Sequence, residues 1–452
     1  MALFSPLAYM SPFLKSNLPI GLILLCFILF PFKRLVELPI LFMMIGGAVL
    51  AYKHGKVLFK VPSVRIFTLL AICIWIPMVL SLPESYSFRD TAGAILAFPR
   101  LYFSGLFVIW ALQESDQADR LIKLLAGLTA FWVGDALFQA AVGHDLLGFA
   151  QIPSRLNGVF GERHWRLGVA LPILSPFLIL VVRHKPALMM LAALSTGAVV
   201  LLAGSRGGWV SYAVVCAALL LTEMQKRGMS FWKTGLFTVL ALLMGVFLAL
   251  ANPGARVRLD QTLLMFSGDA ARIDQAFSGR LTLWKDAIVM VKAHPVTGVG
   301  VSAFRFAYPE YAAPGDPFVQ PKLDEETGRR TGASYAHQMV LEVTSESGLI
   351  GLAGLLLFYS LLIKAWQQAS QEERNHALPF VLAALAWLFP FNTHSSFYSA
   401  QWSVMVWLVV AMVCARLVPS RSGPSLRGYN RSSDVHSPQS RAVTLARTTH
   451  GE

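Results

Sequence analysis

Two arginines and one histidine lie in short motifs whose residue types suit the binding and activation of a charged substrate. The first arginine, Arg206, belongs to the motif GSRGGW at residues 204–209. Glycines let the backbone turn tightly and let a ligand approach it closely, and a guanidinium group offers paired donors to phosphate. The alternative is an arginine at a helix end whose charged group extends to the membrane surface.

The second arginine, Arg280, follows Ser278 and Gly279 at the start of a segment with helical spacing. Backbone N–H groups at a helix start favour an anion, so this position suits a second anion-binding arginine. The alternative is a surface arginine that pairs with a neighbour such as Asp286.

The histidine, His337, lies just before a long apolar run, close enough to the membrane to meet a lipid-borne substrate. An unperturbed histidine has a pKa of about 6.5, which suits a general base at neutral pH. A structural histidine is the alternative, and His164, His294 and His394 compete for the catalytic role.

Two charged residues, Arg100 and Asp135, lie inside apolar runs. At a rise of about 1.5 Å per residue, both side chains start roughly 10–14 Å below the outer ends of their helices. Charges at such depth usually face a partner or a water-filled cavity. We therefore predict that Arg100 and Asp135 pair or line one cavity, either as a substrate-binding feature or as a purely structural pair.

The elements that position these residues are predicted to be membrane helices. Of the 452 residues, 55% are hydrophobic and only 14% are charged, whereas a soluble domain has about 25% charged residues. This composition excludes a soluble globular enzyme, a disordered protein and a fibrous protein. The apolar runs lie at residues 17–32, 36–52, 63–82, 91–112, 121–142, 166–182, 186–204, 208–222, 234–251, 348–364, 376–392 and 401–418.

The distribution of basic residues predicts the orientation of the chain. The formal net charge is +13, and short connections rich in lysine and arginine follow even-numbered runs, which places both termini in the cytoplasm. The predicted parts are transmembrane helices one to nine (1–251), a large external loop (252–346), helices ten to twelve (347–418) and a disordered cytoplasmic tail (419–452). Within the loop, an amphipathic helix is predicted from Leu281, Trp284, Ile288 and Val291.

Other chemistries find little support in the sequence. The four cysteines lie inside apolar runs without metal-ligand spacing, and no nucleotide-binding or metalloprotease motif is present. No basic stripe with interleaved aromatic residues suggests nucleic acid. We expect no metal, no cofactor and no nucleic-acid partner.

Taken in order along the chain, the motifs resemble those of the bacterial O-antigen ligase family. That family shares a superfamily with O-antigen polymerases and protein O-oligosaccharyltransferases. The matching stretches are RLNGVF at 155–160, SRGG at 205–208, SGR at 278–280 with Leu283 and Trp284, PVTGVG at 295–300, and residues 336–351.

The resemblance implies an all-α polytopic integral membrane protein, with about twelve transmembrane helices and one large periplasmic loop domain, similar to GT-C glycosyltransferases. It implies a multi-pass protein of the bacterial inner membrane with its active site on the periplasmic side. The donor would be an O-antigen glycan on undecaprenyl diphosphate and the acceptor a sugar hydroxyl of lipid A–core, both within membrane lipid. The reaction would need neither ATP nor metal.

The resemblance also assigns roles to residues. It makes His337 the catalytic base and makes Arg206 and Arg280 the essential arginines. Arg155 and Tyr335 are weaker candidates for positioning donor or acceptor. Two departures from the family are visible: Gln338 follows the histidine where relatives often have asparagine, and His164 stands where relatives often carry asparagine.

Two groups of alternatives remain open. An O-antigen polymerase or a protein O-oligosaccharyltransferase would share the same arginines and histidine; the Arg-x10-Gly motifs frequent in polymerases are missing from the predicted external loops, which favours a ligase. A lipid or sugar transporter would suit Arg100 and Asp135, but transporters often have duplicated halves, and the sequence has no internal repeat.

Overall fold

A computed structural model describes residues 12–418, except 154, 162–164, 228–252, 321–322, 324–327, 329 and 393–394. The described part is all-helical and contains no named strand, which confirms the predicted fold class at that level. The α-helices are α1 Pro12–Leu29, α2 Glu37–His54, α3 Pro62–Leu80, α4 Phe88–Ala111, α5 Ser115–Val142, α6 Trp165–Val181, α7 Pro186–Leu202, α8 Arg206–Arg227, α9 Pro253–Leu263, α10 Ala270–Ala276, α11 Arg280–Ala293, α12 Phe304–Tyr311, α13 Met339–Gln368, α14 Gln371–Leu388 and α15 Trp402–Leu417.

Within the described ranges, six helical segments are long and apolar enough to cross a membrane, as expected of a polytopic membrane protein. They are Arg34–Lys60, Pro62–Leu80, Phe88–Ala111, Ser115–Val142, Arg206–Met224 and Met339–Gln368. Shorter apolar helices cover Asn17–Phe32, Arg166–Val181, Pro186–Leu202 and Trp402–Leu417. The predicted ninth run (234–251) and the predicted tail (419–452) lie outside the described residues, so the total of twelve spans stays a prediction.

Close helix contacts in the bundle depend on small residues, which let two backbones approach each other. A Cβ atom at Gly208, in the GSRGGW motif, would overlap the carbonyl oxygen of Gly168 on α6. The sequence suggests that the motif's glycines admit a ligand; at this position the structure gives the glycine a packing role between α6 and α8.

The segment between α8 and α13 has a small hydrophobic core of its own, separate from the main core of the bundle. Helix α11 contributes Leu283, Ala287 and Met290 to it. A helix is therefore present where the sequence predicts one, but the predicted apolar stripe is not the buried face: Ile288 is 44% exposed. Residues one position earlier in the helix fill the contact with α12 and α13.

Helix α13 is kinked at Gly348, whose φ of 65° is in the left-handed region. The loop at residues 295–300 lies against this kink and bonds the backbone groups around it. Val299 N donates to Ser345 O (2.9 Å), Gly300 N donates to Glu346 O (3.0 Å), and Leu349 N donates to Pro295 O (2.8 Å). A break in an apolar helix is tolerated when such partners satisfy its backbone, so the PVTGVG loop and the kink depend on each other.

Arg100 and Asp135 do not pair with each other, and the alternative, that they line one cavity, stays a prediction. Arg100 forms an ion pair with Glu37 (Nη2–Oε1 3.3 Å) and donates to Ala400 O (3.0 Å). Asp135 is buried, and its Oδ1 accepts from Leu146 N (2.9 Å). Each charge contacts a different partner. Arg100 pairs with a carboxylate on α2, and Asp135 accepts from the loop that follows α5.

Candidate functional site

His337 lies at the last turn of the chain before α13, in a backbone conformation that L residues rarely adopt. Its φ is 51°, and non-glycine residues with positive φ are uncommon and concentrate at functional sites. Its neighbours are held on both sides, since Trp284 Nε1 donates to Ala336 O (3.0 Å) and Met339 N donates to Asn392 O (3.2 Å). The surrounding structure thus fixes the histidine at a strained position.

Gln338, the departure from the family pattern, caps helix α13. Its Oε1 accepts from Leu341 N (2.5 Å) and its Nε2 donates to Pro390 O (2.9 Å). A side-chain oxygen that accepts from an N–H of the first turn is the usual function of a helix N-cap residue. Gln338 therefore caps the helix that begins two residues after His337.

The imidazole of His337 is neutral at physiological pH. Burial, and then the charge of Arg280, lower its pKa to about 4, so the ordinary value of about 6.5 that the sequence suggests does not hold for the free protein. Its ring lies 4.0 Å from the Tyr335 ring, centroid to centroid. The Nδ1 atom is buried and has no hydrogen-bond partner among the described residues. A neutral imidazole has a nitrogen lone pair that can accept a proton.

Arg280 begins α11, immediately after Ser278 (φ 60°) and Gly279 (φ 76°). The N–H groups of this helix start are not free, because Asp274 Oδ1 accepts from Leu281 N (2.9 Å) and from Thr282 N (3.4 Å). The predicted contribution of the helix terminus to anion binding is therefore already used within the protein.

The guanidinium of Arg280 itself has no ion-pair or hydrogen-bond partner in the part of the chain that the structure describes. Asp286, the neighbour suggested by the sequence, instead accepts from the Tyr308 hydroxyl (3.1 Å). Burial lowers the pKa of Arg280, the nearby Tyr335 raises it, and the charge of Arg206 lowers it. A half-buried cation in this state is available to an anionic ligand.

Arg206 connects the first turn of α8 to the turn between α10 and α11. Its guanidinium donates to Ala276 O and to the Ser278 hydroxyl (2.5 Å for the latter). Because Ser278 is two residues before Arg280, these bonds bring the two predicted arginines together. The motif SGR did not indicate that Ser278 accepts a hydrogen bond from Arg206.

Arg155 joins the same region from the loop after α5. Its side chain lies against Gly204, where a Cβ would be 3.3 Å from its Cγ, and Leu156 N donates to Leu202 O (3.0 Å). Burial and the charges of Arg258 and Arg206 lower the pKa of Arg155. The structure therefore brings Arg155 next to Arg206, although it leaves Arg100 and Asp135 with the separate partners described above.

Tyr335 borders both His337 and Arg280, and burial followed by the charge of Glu342 raises its pKa. Glu342 is itself buried in the first turn of α13. Its Oε1 accepts from the Ser396 hydroxyl (2.5 Å) and from Tyr398 N (3.3 Å). A carboxylate at the head of an apolar run was visible in the sequence, but its contacts with the segment before α15 were not.

The competing histidines differ from His337 in their surroundings. His294 Nε2 is bonded to the Tyr311 hydroxyl (2.8 Å), and its ring lies edge-on to Tyr86. His164 and His394 lie outside the described residues. Within the described ranges, no group of three or more His, Cys, Asp or Glu side chains could hold a metal ion.

A model of the O-antigen ligase family matches residues 189–356. This confirms the resemblance over that range and is consistent with an O-antigen ligase-type protein. The matched range begins in α7, ends in α13 and contains Arg206, Arg280, Tyr335 and His337. No curated protein matches the chain.

Proposed function

We propose that this protein is an O-antigen ligase that transfers a glycan from undecaprenyl diphosphate to a sugar hydroxyl of lipid A–core. The observation that carries the proposal is the combination of a neutral, strained His337 with an unpaired Arg280 inside the matched domain. One group can accept a proton, and the other can bind an anion. The histidine suits the acceptor hydroxyl, and the arginine suits the diphosphate that leaves.

The reaction is a single displacement at the anomeric carbon. His337 takes the proton of the acceptor hydroxyl as its oxygen forms a bond to that carbon. The bond from the anomeric carbon to the phosphate oxygen breaks, and its electron pair stays on the departing polyprenyl diphosphate. Attack opposite the leaving group inverts the anomeric configuration, since no carboxylate at the site is assigned as a covalent nucleophile.

Arg280 and Arg206 stabilise the diphosphate as negative charge develops on it. Fixed cations directed at a developing charge in a partly dehydrated site act without reorganisation during the reaction. Arg280 has no partner to give up, whereas Arg206 is held by Ala276 and Ser278. Tyr335 and Arg155 line the same region and position donor or acceptor. Since the glycosyl diphosphate is already activated, the proposal requires neither ATP nor a metal ion.

The proposed topology places this site on the periplasmic side of the inner membrane, with both termini in the cytoplasm. It is supported by the positive charge of short connections that follow even-numbered runs. An impermeant maleimide applied to intact spheroplasts should label Ala313→Cys but not Lys56→Cys. Both positions are exposed. Labelling of Lys56→Cys alone would reverse the orientation.

The test of function is transfer by the full-length protein reconstituted in liposomes with an undecaprenyl-diphosphate glycan. Lipid A–core, a second donor molecule and a serine-containing acceptor protein are offered separately, to distinguish ligase, polymerase and protein glycosylation. The proposal expects transfer to lipid A–core, unaffected by a metal chelator. Extension of the donor glycan, glycosylation of the protein, or donor transport without any transfer would each contradict it.

A further inference from the structure

Four arginines from separate parts of the chain lie in one region without a carboxylate partner in the described ranges. Three are Arg155, Arg206 and Arg280; the fourth, Arg258 on α9, has no motif around it. Each is half-buried, so their mutual repulsion is only partly screened by water. An anion bound among them would relieve this repulsion and accept charge-assisted hydrogen bonds.

The arginines follow one another away from His337. The charge of Arg280 lowers the pKa of His337, and the charge of Arg206 lowers the pKa of Arg280. The charge of Arg258 lowers the pKa of Arg206, and the charges of both lower the pKa of Arg155. The contacts agree with this order: Arg206 is bonded to Ser278, two residues before Arg280, and Arg155 lies against Gly204, two residues before Arg206.

The packing of the elements supports this order. Helix α9 contacts α7 and α10, the two helices whose ends lead to Arg206 and to its partners Ala276 and Ser278. The other neighbour, Arg155, lies on Gly204 in the turn between α7 and α8. Within its own helix, Arg258 makes only one long bond, from Nη1 to Gln261 Oε1 (3.4 Å), so most of its donors remain available.

Four cations exceed what the intact donor needs. A glycosyl polyprenyl diphosphate carries two ionised oxygens, one on each phosphate. When the bond to the sugar breaks, the terminal phosphate gains another ionisable oxygen, whose pKa as a phosphate monoester is about 6. The leaving diphosphate is therefore more anionic than the donor. Binding that strengthens as this charge appears speeds the reaction itself.

We propose that Arg258 is a diphosphate-binding residue that, with Arg155, holds the lipid-side phosphate, so that Arg280 and Arg206 are left to bind the charge that appears on the sugar-side phosphate. This rests on the proposed function, because it assigns each end of the cluster to one end of the diphosphate. Arg280 takes the sugar-side phosphate next to His337, and Arg206 lies between the two phosphates.

The experiment measures binding of farnesyl diphosphate and farnesyl monophosphate to the full-length protein in nanodiscs by calorimetry. Arg258→Gln should weaken binding of farnesyl diphosphate and of farnesyl monophosphate alike, roughly tenfold or more, as expected for loss of a charge-assisted contact, because both ligands carry the lipid-side phosphate. The affinity of Arg258→Lys for farnesyl diphosphate should lie between those of wild type and Arg258→Gln. The matched control is Arg256→Gln, an exposed arginine on the same helix, which should bind like wild type.

Wild-type affinity of a folded Arg258→Gln variant for farnesyl diphosphate would overturn the inference, as would an equal loss in Arg256→Gln. If Arg258→Gln does not fold, Arg258→Lys decides, since its wild-type affinity would likewise overturn the inference. Binding needs no glycan transfer, so the two proposals fail separately. If wild type binds farnesyl diphosphate in an Arg258-dependent way but transfers no glycan, the ligase proposal fails and the diphosphate site stands.

Discussion

Two neighbouring regions differ in whether their polar groups have hydrogen-bond partners within the protein. We call them the arginine–histidine site (Arg155, Arg206, Arg258, Arg280 and His337) and the kink region (residues 81–91 and 294–305 with Gly348). In the kink region the polar groups meet partners: Thr297 donates to Glu84 (2.6 Å), Thr91 donates to Val301 O (2.7 Å), and Ser302 N donates to Glu346 (2.6 Å).

In the arginine–histidine site, by contrast, Arg280 has no ion-pair or hydrogen-bond partner among the described residues, and the buried Nδ1 of His337 has none either. Buried polar groups are normally satisfied, and groups with perturbed ionisation concentrate at functional sites. The comparison indicates that the kink region stabilises the fold and the arginine–histidine site is kept ready for a ligand. Substitutions in the two regions should therefore change different quantities.

The largest effect is expected for His337→Ala. Loss of a positioned general base should slow glycan transfer about 10²- to 10⁴-fold while leaving the thermal midpoint near that of wild type. The matched control is His294→Ala, which removes the bond to Tyr311 and should lower the midpoint without slowing transfer per folded molecule. Equal slowing by both variants would remove the distinction between the regions.

Gly298→Ala should destabilise the kink region. The residue has a φ of 68°, and a Cβ there would come within 2.6 Å of the Ser345 and Glu346 backbone. We expect a loss of roughly 1–3 kcal/mol in free energy of unfolding, measured by denaturation in detergent, with transfer retained by the folded fraction. The control Gly315→Ala also has positive φ but no atoms within 4 Å, so a similar loss there would mean that docking against α13 contributes little.

A smaller effect is expected from the ion pair between Arg305 and Asp90 (3.4 Å), whose side chains are 42% and 31% exposed. Pairs this exposed contribute about 0–1 kcal/mol. Arg305→Ala should lower the thermal midpoint slightly and leave transfer unchanged. A large loss of transfer from this arginine would show that pairing does not separate structural arginines from functional ones.

The smallest expected change is in the pH dependence of transfer. Only neutral His337 can accept a proton, and its pKa in the free protein is about 4. At low donor concentration, transfer should stay constant between about pH 8 and 5.5 rather than fall below about pH 6.5. Because the charge of Arg280 helps to lower this pKa, residual transfer by Arg280→Gln should fall at a higher pH than wild type. A fall in wild-type transfer below about pH 6.5 would contradict the lowered pKa of His337.

The sequence predicts the helical architecture well, because long apolar runs have few alternatives in a membrane protein. Helices overlie every predicted run within the described residues, and the motifs for Arg206, Arg280 and His337 lead to one neighbourhood. What the motifs predict is chemical type and order along the chain.

Contacts between distant segments are what the sequence could not supply. The pairing of Arg100 with Asp135 was inferred from similar depth alone, whereas α2 brings Glu37 to Arg100. The helix start at Arg280 was expected to be free, but Asp274 bonds it. Arg258 has no flanking motif, and only the packing of α9 against α7 and α10 brings it into the cluster.

The most direct test of the account is single-turnover glycan transfer by Arg280→Ala in liposomes containing lipid A–core, with the thermal midpoint measured on the same sample. Loss of an unpaired cation at the developing charge should slow transfer on the order of 10²- to 10³-fold, and the midpoint should not fall, because Arg280 bonds no other described residue. Wild-type transfer by the folded variant would contradict the claim that this unpaired arginine serves the reaction.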